Sequence, residues 1–339
     1  MTPDARSLFE HHGGLHLRDT LLWFDAPQPR QLCFVSHANV PRALGHQKIL
    51  TSDRTAELLR ALASVHGRGR RAHEPQALVT PYRRTFALGQ LNLELFPSGH
   101  LLGAASLLLQ HRGMTIVYAG EVNPRKSPLS ERLEARHCDV LVLPCRFGAR
   151  RYVFPPFEQV AAALVRFASD CVERSCTPIF FCAPLGEAQE VARLLLEAGV
   201  PVRAHRKIVA ISQVHQRAGL HFEDLGRYSP GRQAQPAALL WPAALRSSPT
   251  LAQLPAQRTA LVSGAALDEE TRARMGCDAS FVLSCHADYA GLLEYVRACK
   301  PEQVVVSEGA ASELVDDLRA LGVKTTALEP PRQMDLLET

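Results

Sequence analysis

The chain has 339 residues, 46% of them hydrophobic and 21% charged, the balance of an ordinary globular protein with room for two domains or one large α/β body. Thirty-eight Lys and Arg against 34 Asp and Glu leave a formal charge of +4, too mild to argue for a nucleic-acid partner by itself. Charged residues cut every apolar run well short of the ~20 residues of a membrane span, and the opening MTPDARSLFEHHGG lacks the apolar stretch of a secretory signal, so a cytoplasmic protein without a membrane part is expected. The nine cysteines are odd in number and form no C-x-x-C pair. Cys33, Cys138, Cys182 and Cys285 lie in or beside apolar stretches, and the set reads as reduced, structural thiols.

In chain order, Leu15–Leu17, Leu21–Phe24 and Leu32–Val35 are predicted strands, and Asp53–Ser64 a helix with Leu58, Leu59, Leu62 and Ala63 on one face. Gln90–Phe96, Ser106–Gln110, Thr115–Ala119 and Val140–Leu143 continue as strands, the last leading into the Arg-rich segment Arg146–Tyr152. Prolines then open a helix over Pro155–Cys171, followed by a buried strand at Thr177–Cys182, a helix at Glu187–Ala198 and a strand at Val200–Val202. The stretch Gly231–Gln257 reads as connecting structure around one short strand, Leu239–Trp241. Strands at Ala260–Ser263, Ala279–Leu283 and Gln303–Val306 then alternate with helices at Asp268–Met275, Tyr289–Cys299 and Ser312–Leu321. The residues after Pro330 read as a frayed tail. This alternation makes the fold class α/β.

Four polar segments each follow a predicted strand, where the loops of an α/β sheet collect ligand and catalytic groups. They are Ser36-His37-Ala38-Asn39, Pro97-Ser98-Gly99-His100, Ala119-Gly120-Glu121 and Ser284-Cys285-His286-Ala287-Asp288. Any one of 14 histidines is more often a hydrogen-bonded side chain than a ligand, but three histidines and a carboxylate at one sheet edge are raw material for a metal site.

These segments resemble the motifs of the metallo-β-lactamase/β-CASP nucleases, in order and over nearly the whole chain. Ser36-His37-Ala38-Asn39-Val40-Pro41-Arg42 occupies the slot of the family's Ser-His-Ala-His-x-Asp-His signature, and Leu21–Asp25, with Pro27 shortly after it, resembles the lead-in strand of bacterial β-CASP exonucleases, the ligase-associated and mRNA 3′-end processing types. Ser98–Ala105 is similar to the S-G-H-x-L-G-S-A run, Ala119-Gly120-Glu121 to T/S-G-D, Ser284–Asp288 to S-D-H-A-D, and Ser307-Glu308-Gly309 to T/L-H-G. The resemblance implies an αββα sandwich from residues 1–150 and 255–339 with a β-CASP α/β domain, 151–254, inserted.

It also implies two zinc ions about 3.5–4 Å apart, clamping a phosphodiester and generating hydroxide. His37 and His100 match ligand positions, Glu121 replaces the bridging aspartate, and Asn39 and Glu308 replace histidines. Pro41 and Arg42 replace an aspartate and a histidine of the second metal, and Pro144 stands where an acidic residue is expected. His286 and Glu121 are the candidate catalytic groups, and the expected cofactor is none or one zinc, on His37, His100 and Glu121. Arg42 is expected to stand in for the second cation, paired with Glu121 or Glu308.

Arginines with aromatic neighbours suit phosphate pairing and base stacking. They occur at Arg68–Arg71, at Arg83 and Arg84 after Tyr82, and at Arg146, Arg150 and Arg151 beside Tyr152. The last group is the stronger candidate, since in the resembled family it lines the strand's entrance. The expected function is a catalytically inactive or impaired member that binds single-stranded DNA or RNA and works with a nuclease, ligase or helicase in DNA repair or RNA processing. The alternative is an active single-metal phosphodiesterase.

Overall fold

The computed structural model describes residues 5–11, 13–65, 75–222, 224–231, 236–254, 256–308 and 312–328. The chain divides into two compact units, the first from residues 1–59, 69–151 and 286–339 and the second from residues 60–68 and 152–285.

The first unit opens with a six-stranded sheet whose strands follow chain order: β1 (Phe9–His11), β2 (Leu15–Leu17), β3 (Leu22–Phe24), β4 (Leu32–Phe34), β5 (Lys48–Thr51) and β6 (Gln76–Val79). β1 to β3 are antiparallel and β3 to β6 parallel, with α1 (Asp53–Val65) as the crossover between β5 and β6. A second sheet begins with the antiparallel run β7 (Phe86–Leu88), β8 (Leu91–Pro97), β9 (Ala105–His111) and β10 (Met114–Tyr118), and β11 (Val140–Pro144) joins β10 in parallel. Side chains from both sheets, among them Phe24 and Phe34 with Leu95, Leu107, Tyr118 and Val142, bury one common core. Alternation explains this: along β8 the residues Leu91, Leu93 and Leu95 face that core and Asn92 faces away.

The second unit starts with α2 (Phe157–Glu173), which begins directly after Pro155 and Pro156 and buries Val160, Ala161, Leu164, Ala168 and Cys171 at helical spacing. It continues through β12 (Thr177–Cys182), α3 (Glu187–Glu197), β13 (Val202–Ala204), α4 (Arg206–Arg217), β14 (Gly226–Arg227), β15 (Ala238–Pro242), α5 (Pro249–Ala252), β16 (Gln257–Val262), α6 (Glu269–Met275) and β17 (Ala279–Phe281). Every pairing is parallel, in the order β14-β13-β15-β12-β16-β17, and β12 at the centre is buried along its whole length, as a strand covered on both faces must be.

The chain then returns to the first unit with α7 (Tyr289–Cys299), β18 (Gln303–Glu308), α8 (Ser312–Ala320) and β19 (Lys324–Ala327), the two strands extending the second sheet beyond β11. α7 and α8 cover that sheet's outer face, with Leu292, Tyr295, Leu314 and Leu318 against Phe96, Val117, Leu141 and Leu143.

The inserted unit therefore runs to Cys285, past the boundary at 254 expected from the sequence, because β16 pairs with β12 and β17 with β16. The stretch read as connecting structure contains β15, flanked by β13 and β12. All nine cysteines are free, and burial pushes the thiols of Cys33, Cys138 and Cys182 far up. Among the described residues no helix is long and apolar enough to cross a membrane.

Candidate functional site

The segment after β4 is held by three separate contacts. The Asp25 carboxylate accepts the Ser36 backbone N–H at 2.7 Å, the Ser36 hydroxyl at 2.5 Å and the Tyr118 hydroxyl at 2.9 Å. The Ala105 backbone N–H donates to the Ser36 carbonyl at 2.8 Å, tying the segment to the second sheet. Gly120 lies against Ser36 with φ 60°, and a Cβ there would stand 2.9 Å from the Ser36 Cβ, so only glycine permits the approach. His37 leaves this braced point, and the Asn39 backbone N–H donates to its Nδ1 at 3.1 Å.

His100 follows β8 on an equally constrained turn. The Ser98 N–H donates to the Ala104 carbonyl and the Asn123 N–H to the Ser98 carbonyl, both at 3.1 Å. Gly99 adopts φ 74° with the Asn123 carbonyl oxygen 2.3 Å from where a Cβ would lie. His286 stands just ahead of α7. The Ala287 N–H donates to the Val122 carbonyl at 2.7 Å, and Asp288 caps the helix by accepting the Gly291 N–H at 2.8 Å.

These loops bring three histidines into one stack. His37 and His100 have ring centroids 4.8 Å apart at 75°, His100 and His286 4.4 Å apart at 51°, and Phe147 closes the His286 side at 5.9 Å. His37 and His100 are buried, and His286 is half-buried. Burial first, then His100 and the Arg146 guanidinium, hold His37 well below the usual imidazole range, and the same three causes with a contribution from His37 hold His286 there. Both rings are therefore neutral at pH 7. Because Nδ1 of His37 accepts from Asn39, its proton sits on Nε2, facing away from that bond.

This donor set does not fit the two-metal centre that the sequence resemblance implies. Among the described residues no group of three His, Cys, Asp or Glu side chains converges as a metal site requires. The histidines meet ring against ring, and Glu121, half-buried after β10, does not complete a ligand group with them. A ligand imidazole bound through Nε2 ordinarily donates from Nδ1 to a partner; His37 has the opposite polarity. Asn39 is exposed, as are Pro41 and Arg42. Glu308 ends β18, where its backbone pairs with Pro144; its side chain lies outside the described set.

Arg42 does not pair with Glu121, the first of its two expected partners, and the side chain of the second, Glu308, lies outside the described residues. Arg42 is exposed, has a left-handed backbone at φ 57° as it opens a short 3-10 turn, and pairs with no described carboxylate. The positive charge acting on the histidines comes from Arg146, exposed on the segment after β11 and also engaged by no described carboxylate. Asp25 was quoted in the sequence within a lead-in strand without its bracing role, because its partner Ser36 lies across a parallel strand pair.

The arginine clusters divide. Arg150 is not a free cation: its backbone N–H donates to Glu313 at 2.7 Å, and its guanidinium grips Asp317 at 3.1 and 2.5 Å, with the Tyr289 hydroxyl donating to the same carboxylate. Those bonds hold Asp317 down to about 2 and push Arg150 up. Arg83 pairs with Glu134, whereas Arg84 and Arg151 are exposed. Arg68, Arg70 and Arg71 lie outside the described residues.

No family model matches the chain. A protein of Opitutus terrae named as a probable DNA ligase is 31% identical over 330 residues, 97% of this chain but 31% of that protein. An RNase J-like protein of Methanocaldococcus jannaschii is 24% identical over 107 residues, 31% of this chain and 25% of that protein. An endoribonuclease YSH1 of Gibberella zeae is 27% identical over 126 residues, 36% of this chain and 15% of that one. The chain thus spans a third or less of the length of these relatives. A crystal structure of a protein of unknown function from Enterococcus faecalis superposes with a TM-score of 0.57 at 14% identity, over 89% of this chain and 79% of that one, a likeness of fold.

Proposed function

We infer that the chain is a member of the metallo-β-lactamase/β-CASP nuclease family, and propose that it is a nucleic-acid-binding member whose two-metal centre has given way to a phosphate-contacting cluster of His37, His100, His286 and Arg146. In this reading the two sheets that share a core form the αββα sandwich of the family, and the parallel six-stranded unit is its β-CASP insertion.

One observation carries the proposal. Arg146, exposed and engaged by no described carboxylate, acts electrostatically on two neutral, desolvated imidazoles, one of which has its N–H on Nε2. An unneutralised guanidinium beside neutral N–H donors attracts a phosphodiester rather than a cation. The donor set supports the same conclusion from the other side, since Asn39, Pro41 and Arg42 supply no anionic ligand for a second metal. The stretch of a probable DNA ligase that matches nearly this whole chain supports DNA as the bound strand and a ligase as working partner.

Binding of a fluorescent 5′-phosphorylated single strand in excess EDTA tests this. Affinity should survive the chelator, fall with salt, and drop about tenfold in Arg146→Ala, as one charged phosphate contact predicts. A parallel nuclease assay with Zn²⁺ or Mn²⁺ should show no turnover. Stoichiometric zinc in the purified protein, with strand cleavage abolished by His100→Ala, would overturn the proposal in favour of a single-metal hydrolase.

A further inference from the structure

The second unit contains a cavity of about 500 Å³ at the C-terminal ends of its parallel strands. Its walls are the end of β12 and the segment after it (Cys182, Ala183, Pro184), the start of α4 (Arg206, Lys207) with His205 before it, the end of β15 and the segment after it (Pro242 to Leu245), and Val65 at the end of α1. β12 and β15 are neighbours, but β12 connects through α3 to β13 on one side while β15 connects through α5 to β16 on the other. The chain from β12 passes β15 to reach β13 and the chain from β15 passes β12 to reach β16, so the two connections leave adjacent strands in opposite directions. In open parallel sheets ligands bind at such a place, and the volume lies in the range of small-molecule sites.

The chemistry of the walls is divided. Pro184, Pro242, Ala243, Ala244 and Leu245 form an apolar side, and the Leu245 side chain is 44% exposed there. The start of α4 contributes Arg206, exposed, and Lys207, half-buried. The first turn of α4 holds no acidic residue, so both cations sit where the helix dipole disfavours them. Burial also pushes the Lys207 ammonium down. The first-turn backbone is already served, because the Lys207 N–H donates to His205 Nδ1 at 3.2 Å; a ligand would meet side chains.

We propose that this crevice binds a nucleoside monophosphate, its phosphate on Arg206 and Lys207 and its nucleoside against the Pro184–Pro242–Leu245 wall. The site lies wholly in the second unit and is independent of the histidine cluster.

A built-in reporter makes the test direct. Trp241, at the end of β15, meets the His205 ring at 4.7 Å and donates its indole N–H to the Leu245 carbonyl at 3.0 Å, so both lips of the cavity touch it. In a Trp23→Phe background, titration of the full-length protein with AMP, dAMP and inorganic phosphate should change Trp241 emission saturably with the mononucleotides. Affinity should fall at least tenfold in Arg206→Glu, a surface change that leaves the fold intact, and in Ala183→Phe, which fills the cavity. Arg146→Ala should titrate like the parent, which separates this site from the proposed strand-binding function. Absence of saturable binding, or equal binding by Arg206→Glu, overturns the proposal. Inorganic phosphate binding as tightly as the mononucleotides overturns it too, because the apolar wall then contributes nothing.

Discussion

Asp25 accepts both the backbone N–H and the hydroxyl of Ser36, so one carboxylate on the segment after β3 fixes the residue that launches His37 after β4. Asp25 has φ 42°, a conformation Asn tolerates, so Asp25→Asn tests the charge without straining the backbone. Two charge-assisted bonds to Ser36 and one to Tyr118 are weakened together. The expected loss is about 2–3 kcal/mol, read as a lower urea midpoint at unchanged slope. A midpoint equal to wild type would show that the brace is not energetically coupled to the fold.

Arg42 and Arg146 make opposite predictions. Arg42 is exposed and engages no described carboxylate, so Arg42→Ala should shift stability by no more than about 0.5 kcal/mol and leave strand binding unchanged. Arg146→Ala should leave the melting temperature alone and reduce the slope of log affinity against log salt by about one. Reversal of the two results would return Arg42 to the site.

Arg150 anchors α8 through Glu313 and Asp317. Arg150→Ala is expected to raise hydrogen exchange in α8 and to leave the salt dependence of strand binding as in wild type. A lost phosphate contact, seen as a shallower salt slope, would contradict this.

His215 gives a pH dependence. It is buried on α4, its Nδ1 bonded to the Ile211 carbonyl at 3.1 Å, and burial lowers it to about 4. The unfolded chain, with its imidazole near 6.5, binds the proton first, so stability falls as pH drops from about 6.5 toward 4. The lowered value corresponds to a contribution on the order of 3 kcal/mol at the acid end. His215→Asn should flatten the stability profile across that window in denaturant melts; an equally steep profile would assign the sensitivity to other groups.

The histidine cluster was legible in the sequence where an apolar run delivers a polar residue, as at His37 after β4 and His100 after β8. His286 was legible by its motif but not by its strand, since β17 belongs to the second unit's sheet while His286 returns to the first. The left-handed turn on which Arg42 stands was not legible, because spacing along the chain cannot register it. The ion pair of Arg150 was not legible because its partner Asp317 arrives from a helix remote in sequence. β5, β6, β7 and β19 are three or four residues long, too short for their periodicity to stand out. α4 was overlooked although Ile208, Ile211 and Val214 carry a helical spacing.

β11 and β18 are hydrogen-bonded neighbours, Val140 opposite Gln303 and Leu143 opposite Val306, although residues 152–285 of the second unit intervene between them in the chain. Zipping this ladder in an unfolded chain means closing a very long loop, an entropic barrier that grows with the logarithm of the chain enclosed. A second unit that has already collapsed shortens the effective loop before the strands meet. Pulse-labelling during refolding should therefore protect β12 and β15 before β18, and the reverse order would mean that the first unit nucleates without waiting for its insertion.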